Sequence, residues 1–311
     1  MLLRAVSVLV FVLLSCTACG GRQAPKLLTV VGEPGHLIEI NGHLLYFQCL
    51  GVGEPTVILE AGYGGDRRTW DVVEPDLTKT TRVCSYDRAG LGLSAAEKPK
   101  PRSASDQLDD LEELLGSAGI DPPYVVVGHS YGGVLGWQFA REHEEDVVGL
   151  VLVDSAHPGQ AERFRAALPP PAPDEGEEVR QLRHALVEEG DVSPENVALG
   201  RALREVGDPG SLGETRLVVI TAGQEDSSGL PGRIATGFRR AWFALQNDYA
   251  RRSTDSMHVI AQYSPHFIQG NLGQPELVVK AIREVVLAAR DGRQLQECRS
   301  LFQPPGAKCL S

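Results

Sequence analysis

The chain alternates between short apolar runs and longer stretches whose apolar residues recur with helical spacing. The apolar runs are rich in valine, isoleucine and leucine, which is typical of strands buried on both faces of a sheet. Because helical stretches separate the runs, the pattern predicts an α/β fold with a mostly parallel central sheet and helices on both faces. The predicted strands are Thr56–Glu60, Arg82–Tyr86, Tyr124–Val127, Val147–Asp154, Arg216–Thr221 and Met257–Ala261. The predicted helices are Trp70–Lys79, Ser103–Gly119, one after Gly133, Glu177–Glu189, Phe238–Arg252 and Pro275–Ala289.

A hairpin precedes this alternation. Leu37–Ile40 and His43–Cys49 are two β-type runs joined by Asn41-Gly42. Asn-Gly between two such runs is a strong local signal for a two-residue hairpin turn. We therefore expect an antiparallel pair at the start of the folded chain.

The alternation stops between Ser155 and Glu214, where Pro-rich and acidic stretches separate helical pieces. Insertions of this size in a compact domain are usually lids or disordered tracts, and we favour a helical lid. The predicted divisions are a leader at 1–19, core parts at 27–154 and 215–290, the insertion at 155–214 and a C-terminal tail at 291–311.

The leader indicates export. Arg4 is followed by roughly ten mostly apolar residues, too few to span a bilayer but typical of the apolar part of a signal peptide. The stretch ends at Cys16, in a context that resembles the bacterial lipobox, and Cys19 is a second candidate for lipidation. The alternative is ordinary secretion with cleavage near Ala18. Either reading places the folded body outside the cytoplasm.

The charge balance limits the partners. The net charge is −11 and falls by one more unit when Arg4 leaves with the leader. Such an acidic chain is a poor match for nucleic acid or for an anionic membrane surface. We expect membrane attachment only through an N-terminal lipid.

Four cysteines remain after the leader, namely Cys49, Cys84, Cys298 and Cys309. They form no Cys-x-x-Cys pair and have no neighbouring histidine cluster, so we predict no metal site. In an oxidising compartment, disulfides are favoured. Cys298 and Cys309 bracket the tail and could close it. Cys49 and Cys84 are either a disulfide or two small buried hydrophobic residues.

The strongest chemical signal is Gly128-His129-Ser130-Tyr131-Gly132, which follows an apolar strand and leads into helical sequence. A sharp strand-to-helix turn forces the serine into sparsely allowed backbone space, where neighbouring side chains would collide. The glycines remove those side chains. We therefore predict that Ser130 is a nucleophile at a strand-to-helix turn.

Several motifs in one order resemble the α/β-hydrolase fold superfamily, over about residues 36–290. They are Leu59-Glu60-Ala61-Gly62-Tyr63-Gly64-Gly65, Tyr86-Asp87-Arg88-Ala89-Gly90-Leu91-Gly92, Gly128-His129-Ser130-Tyr131-Gly132-Gly133, Gly223-Gln224-Glu225-Asp226 and Pro265-His266-Phe267. The resemblance implies an α/β-hydrolase fold with a lid inserted after the sixth strand. It also implies neighbouring strands for Cys49 and Cys84, which favours contact between the two thiols.

A serine nucleophile needs a base, and the base needs a carboxylate that holds its tautomer. In this fold the chain order is serine, acid, histidine. The resemblance assigns the base to His266, in the loop before the last helix, rather than to His258 at the start of a predicted strand. It assigns the acid to Asp226, which is separated from an apolar strand by four residues. Glu225 and Asp154 remain alternatives for the acid, the latter at the end of the sixth strand.

The resemblance further implies an oxyanion hole made by the backbone amides of Tyr63 and Tyr131. Related enzymes usually carry a histidine before Gly62, and this chain has Ala61, which raises the question of how the loop is held. Asp87 and Arg88 are expected to brace a turn as an ion pair rather than to take part in catalysis. The glycine-rich stretch Ala61-Gly62-Tyr63-Gly64-Gly65 lacks the Lys-Ser/Thr ending of a P-loop, so nucleotide binding is not predicted.

Taken with these motifs, the resemblance implies an exported serine hydrolase that cleaves a small-molecule acyl bond through a covalent acyl-enzyme, foremost a carboxylic ester. Ser130 excludes the relatives that attack with aspartate, and no cofactor is implied. Alternatives within the fold are an aminopeptidase, a lactonase or an acyltransferase. A binding protein with an inactive site is the alternative from another class.

Overall fold

Ten strands of the described residues form one sheet in a computed structural model, which describes residues 27–95, 101–172, 175–186, 194–224, 232–303 and 305–310. The strand order is β1-β2-β3-β5-β4-β6-β7-β8-β9-β10. The six strands β5, β4, β6, β7, β8 and β9 are mutually parallel. Strands β1, β2, β3 and β10 run antiparallel to their neighbours. The strands are β1 (Leu27–Thr29), β2 (His36–Ile40), β3 (His43–Leu50), β4 (Thr56–Glu60), β5 (Val83–Tyr86), β6 (Tyr124–His129), β7 (Val147–Val153), β8 (Arg216–Ala222), β9 (Ser256–Ala261) and β10 (Ala307–Leu310).

Helices cover both faces of this sheet, which confirms the predicted layer arrangement. Buried residues of α2, α3 and α6 pack on one face, and those of α1 and α8 pack on the other. The helices are α1 (Glu74–Leu77), α2 (Ala104–Ala118), α3 (Tyr131–Glu142), α4 (Gln160–Ala167), α5 (Glu177–Ala185), α6 (Leu199–Val206), α7 (Gly232–Ala250), α8 (Pro275–Arg290) and α9 (Cys298–Leu301). No helix in the described ranges is both long and apolar enough to cross a membrane.

Some of the predicted elements at the start of the chain are present and others differ. The predicted hairpin is present as β2 and β3, with positive φ at both Asn41 and Gly42. The predicted helix Trp70–Lys79 is instead a 3₁₀ turn at Arg67–Trp70 followed by the single turn of α1. Strand β10, which the tail adds beside β9, was not predicted.

Two disulfides join the four cysteines. Cys49 and Cys84 face each other across the antiparallel pair β3 and β5, with their Cα atoms 4.1 Å apart. The alternative that they are free buried thiols is therefore wrong. Cys298 and Cys309 form the second disulfide and close the tail against β9.

The turn from β6 into α3 brings three backbone segments into close contact. A Cβ atom on Gly132 would lie 2.4 Å from the carbonyl oxygens of both Glu60 and Ala61 at the end of β4. A Cβ atom on Gly128 would lie 2.3 Å from the carbonyl oxygen of Gly132. Only residues without side chains fit here, so the two glycines set how closely α3 approaches the sheet.

A buried charged cluster lies beside this turn, where β4 and β5 end. Glu60 is fully buried, accepts a hydrogen bond from the Tyr86 hydroxyl and lies 3.4 Å from Nη1 of Arg88. Glu195, from the insertion, is also buried and pairs with Arg88 at 2.7 Å. Burial raises the pKa of Glu60 to about 7, although Arg88 and Tyr86 oppose this shift.

The close contact at Gly132 leads to a first prediction. Gly132→Ala should lower the free energy of unfolding by roughly 1–3 kcal/mol, because its methyl group meets rigid backbone oxygens. Gly116→Ala is the matched control, since Gly116 lies exposed in α2 with nothing within 4 Å of the added Cβ atom. That variant should gain roughly 0.5–1 kcal/mol. Urea unfolding measures both, and equal losses at the two sites would contradict the packing argument.

Glu60 leads to a second prediction. Its carboxyl keeps a proton in the folded state up to pH about 7, whereas its ordinary pKa is 4.5, so folding takes up a proton between these values. The stabilising contribution of the neutral form is complete below pH 4.5 and disappears as the pH rises through 7. When the pH is raised from 5 to 8, the free energy of unfolding of Glu60→Gln should therefore fall by less than that of wild type. Parallel losses would show that Glu60 is ionised throughout.

Candidate active site

Ser130 occupies the turn between β6 and α3 in a strained backbone conformation. Its φ is 51° and its ψ is −121°, a region that non-glycine residues rarely adopt. Its carbonyl oxygen accepts hydrogen bonds from the amides of Gly133 and Ala156, which tie the turn to the end of β7. The side chain is half-buried, so a hydroxyl held in this way remains accessible to a substrate.

His266 lies beside this turn, in the loop between β9 and α8. Its ring centroid is 4.6 Å from that of His129, the residue that precedes Ser130. Its Nδ1 atom is 2.7 Å from Oδ2 of Asp154. Because a carboxylate only accepts, Nδ1 carries the proton and Nε2 keeps a lone pair. This is the tautomer that a general base requires.

Asp154 is held by three donors. Its Oδ2 accepts from His266, and its Oδ1 accepts from the Trp242 indole N–H at 2.8 Å and from the Ala222 amide at 3.0 Å. Its side chain is 4% exposed and its φ is 43°. The carboxylate is therefore fixed in orientation and shielded from water, which strengthens its interaction with the imidazole.

Helix α7 holds the segment that carries Asp154. Besides Trp242, Gln246 donates to the carbonyl oxygen of Ser155 at 2.7 Å, and the Tyr249 hydroxyl donates to that of Ala156 at 2.9 Å. The sequence predicts this helix in part, as Phe238–Arg252, without a role for its side chains at the site. The available signal was the helical spacing of Trp242, Gln246 and Tyr249 on an amphipathic helix.

The predicted acid, Asp226, stays a prediction, because Asp226 and its alternative Glu225 lie outside the described residues. Among the described residues, the carboxylate that accepts the hydrogen bond from Nδ1 of His266 is Asp154, the alternative at the end of β7. The physical reason is position: Asp154 follows the strand next to β6, and its positive φ turns the carboxylate toward the loop of His266. A lone Asp directly after a buried strand was the signal in the sequence.

His258 does not share the environment of His266. It is buried on β9, where Nδ1 donates to Oδ1 of Asn247 at 2.9 Å and Nε2 accepts from the Thr221 hydroxyl at 2.7 Å. Burial lowers the pKa of His258 to about 4. Both ring nitrogens are thus occupied within the core, which leaves neither for proton transfer.

His129 has a role that the sequence did not reveal. Its ring is buried, and its Nε2 donates to the carbonyl oxygen of His266 at 3.1 Å. Burial, together with the nearby His266, lowers the pKa of His129 to about 3, so this imidazole is neutral. It therefore fixes the backbone of the His266 loop without adding a positive charge beside the His266 imidazole.

The loop after β4, residues 61–65, lies against Ser130. A Cβ atom on Gly62 would be 3.3 Å from Cβ of Ser130, so the two segments are in contact. Tyr63 follows Gly62 in this loop, and Tyr131 begins α3, where the first amides have no partner within the helix. The two side chains are used elsewhere: the Tyr63 hydroxyl donates to the carbonyl oxygen of Val197 and the Tyr131 hydroxyl to Gln107.

Asp87 and Arg88 do not pair with each other, contrary to expectation. Asp87 accepts from the amides of Arg67 and Leu93, whereas Arg88 turns inward to Glu195 and Glu60. The turn is thus braced by two separate sets of contacts.

A stack of aromatic rings borders the site on the side of α4 and α7. Phe164 stacks on Phe238 with ring centroids 4.7 Å apart and lies 6.2 Å from Trp242, whose ring is edge-on to His266. Phe267, next to His266, is 58% exposed. Within the described ranges, no three His, Cys, Asp or Glu side chains converge as a metal site would require.

Comparison with known proteins agrees with this arrangement. A family model described as the alpha/beta hydrolase fold matches residues 55–272. YqjL of Bacillus subtilis is 41% identical over 101 residues, which are 32% of this chain and 40% of that protein. A Yersinia enterocolitica protein named as a carbamate hydrolase, RutD, is 39% identical over 114 residues, 36% of this chain and 41% of that protein. The match thus spans about two fifths of each relative.

Solved structures share the fold over most of the chain. An esterase from Thermogutta terrifontis has a TM-score of 0.54 at 23% identity and covers 85% of this chain and 98% of its own. The mouse alpha/beta hydrolase domain-containing protein 10 has a TM-score of 0.60 at 15% identity, covering 81% and 98%. Est816, described as an N-acyl homoserine lactone degrading enzyme, has a TM-score of 0.53 at 17% identity, covering 79% and 98%. These identities indicate a common fold and no more.

The family match extends from the residue before β4 to the loop that carries His266, and so includes every strand end that contributes to the candidate site. With the sheet order, the strained serine turn and this match in agreement, the chain belongs to the α/β-hydrolase fold family.

Proposed function

We propose that this protein is a serine hydrolase that cleaves carboxylic esters of small molecules. The observation that carries the proposal is the alignment of the Asp154 carboxylate, the His266 imidazole and the turn of Ser130 at the carboxyl ends of parallel strands. Ligands in open α/β sheets bind at these ends. The strained φ values of Ser130 and Asp154 support the proposal, since such strain is concentrated at functional sites.

In the proposed reaction, the Ser130 hydroxyl attacks the ester carbonyl while Nε2 of His266 takes its proton. Asp154 stabilises the imidazolium that forms. The negative oxygen of the tetrahedral intermediate binds the amides of Tyr63 and Tyr131. Collapse of the intermediate expels the alcohol, which receives the proton from His266. Water then attacks the acyl-enzyme by the same route and releases the acid.

The aromatic stack of Phe164, Phe238 and Trp242 supports an apolar acyl or alcohol group in the substrate, because it offers an apolar surface beside His266. Relatives and structural neighbours named for carbamate and lactone hydrolysis extend the set of acyl bonds worth testing. We place esters first, since an ester carbonyl needs only the groups described above. A panel of esters, lactones, carbamates and peptides of graded size would rank these classes.

We also propose export through the leader region at 1–19. Either the leader is cleaved near Ala18, or Cys16 or Cys19 becomes the lipidated N-terminus. The two disulfides support this proposal, because such bonds persist in oxidising compartments. Mass spectrometry of the mature N-terminus distinguishes a lipidated cysteine from cleavage near Ala18. An intact Met1 in cell-derived protein would contradict export.

The nucleophile gives the next prediction. Ser130→Ala should lower kcat for p-nitrophenyl acetate by on the order of 10⁴-fold or more, because no other group replaces the hydroxyl. A fluorophosphonate probe should label wild type at Ser130 and leave the variant unlabelled. Retention of the wild-type rate in the variant would refute the serine mechanism. Absence of labelling and of activity in the folded wild type would favour a binding protein.

The acid gives a further prediction. Asp154→Asn should lower kcat by about 10³–10⁴-fold, because an amide at this position no longer holds the His266 proton on Nδ1. Asp226→Asn is the matched comparison and should retain at least a tenth of wild-type kcat. The reverse ranking would return the role of the acid to Asp226.

A further inference from the structure

We propose that Arg88 and Glu195 act as positioning residues for the oxyanion hole, by holding the loop 61–65 from the side opposite the substrate. This inference rests on the proposed serine hydrolase function. It identifies the groups that replace the missing histidine at Ala61. It also makes the insertion, which supplies Glu195, part of the apparatus that sets the catalytic rate.

Arg88 binds the backbone of the loop directly. Its Nη1 donates to the carbonyl oxygen of Ala61 and its Nη2 to that of Gly62, both at 2.7 Å. The guanidinium is buried, so these contacts do not compete with water. A planar fork of donors suits two successive carbonyl groups, which lysine could not engage in the same way.

The contact with Gly62 bears on the oxyanion hole because a peptide unit is planar. The carbonyl of Gly62 and the amide of Tyr63 belong to one trans peptide, so their C=O and N–H bonds point in opposite directions. When Arg88 holds the carbonyl oxygen, it fixes the amide of Tyr63 on the opposite side. Rotation of this peptide would turn the proposed donor away from the developing negative charge.

Glu195 completes the arrangement from the insertion. Its Oε1 accepts from the amide of Gly64 at 2.7 Å, and its Oε2 accepts from Nε of Arg88 at 2.7 Å and from Gln107 at 2.8 Å. One carboxylate therefore holds both the loop and the arginine that holds the loop. The preceding residue, Pro194, packs tightly on the turn after Arg88, where a Cβ atom on Gly90 would lie 2.3 Å from the Pro194 carbonyl oxygen.

The charges in this cluster balance. Burial opposes ionisation of Glu195, but Arg88 and the donated hydrogen bonds lower its pKa below the ordinary value. Glu60 is largely neutral below pH 7, because burial raises its pKa to about 7. Arg88 thus pairs with one carboxylate and donates a longer hydrogen bond, of 3.4 Å, to a neutral acid. Removal of the charge on Glu195 leaves the guanidinium buried without its counter-ion.

The test compares Glu195→Gln with Glu284→Gln. Glu284 is the matched control because it is likewise buried and accepts from an arginine, Arg293, from the side chain of Gln296 and from a backbone amide. It lies near the amino end of β8, where Arg216 contacts Arg293. Ser130 follows the carboxyl end of the parallel strand β6, so the two sites are at opposite ends of the strands. Both variants should lower the melting temperature, so stability alone does not separate them.

Kinetics separates the two variants. In Glu195→Gln, an amide N–H faces donors, the loop loses its fixed position, and kcat should fall about 10–100-fold with KM within about threefold of wild type. Affinity for a trifluoromethyl ketone, whose adduct with Ser130 carries a negative oxygen, should fall by a similar factor. Glu284→Gln should keep the wild-type kcat and inhibitor affinity.

Arg88→Lys provides a second test if Glu195→Gln does not fold. It keeps the positive charge but cannot bind both carbonyl groups, so it should show the same fall in kcat and in inhibitor affinity. Wild-type kcat and inhibitor affinity in a folded Glu195→Gln or Arg88→Lys protein would overturn the inference. If Ser130→Ala still abolishes activity in that case, the proposed function stands and only the positioning role fails.

Discussion

The structure depends on how closely the turn of Ser130 can approach the end of β4. Gly132 leaves no room for a side chain against the carbonyl oxygens of Glu60 and Ala61, and a Cβ atom on Gly62 would lie 2.9 Å from Nδ1 of His129 and 3.3 Å from Cβ of Ser130. This contact joins the turn of Ser130, the loop 61–65 and the buried cluster around Arg88 into one unit. Everything else at the site, including the loop of His266, is arranged around it. A methyl group added here would displace several functional groups at once.

Two positions at the carboxyl ends of parallel strands have strained backbone conformations. Ser130 and Asp154 both follow parallel strands, and both have positive φ. In each case, the backbone leaves the strand direction abruptly and directs the side chain to the end of the sheet rather than to one of its faces. The required conformations are held by hydrogen bonds from neighbouring strands: the Ser130 amide donates to Val153 and the Asp154 amide to Ile220. Strain at these points is distributed over a well-paired core.

Much of the fold could be predicted from the sequence, because its signals are local. Continuous apolar runs correctly located the parallel strands, and Asn41-Gly42 located the hairpin. The identity of the acid could not be decided in the same way, since Asp154 and Asp226 both follow apolar strands. The choice depends on which loop meets His266, a tertiary property. Glu195 escaped notice for a related reason: in sequence it is one acidic residue among many in an irregular insertion, and only folding places it against Arg88.

The short strand β10 has a consequence for the solubility of the protein. Without it, the outer side of β9 would present unpaired N–H and C=O groups to solvent, and such a border can recruit a strand from another molecule. The Cys298–Cys309 disulfide keeps β10 on that border, and β9 leads from its carboxyl end toward the His266 loop. The disulfide therefore does more than close the tail. It keeps the outer border of β9 paired, which disfavours pairing with a strand from another molecule.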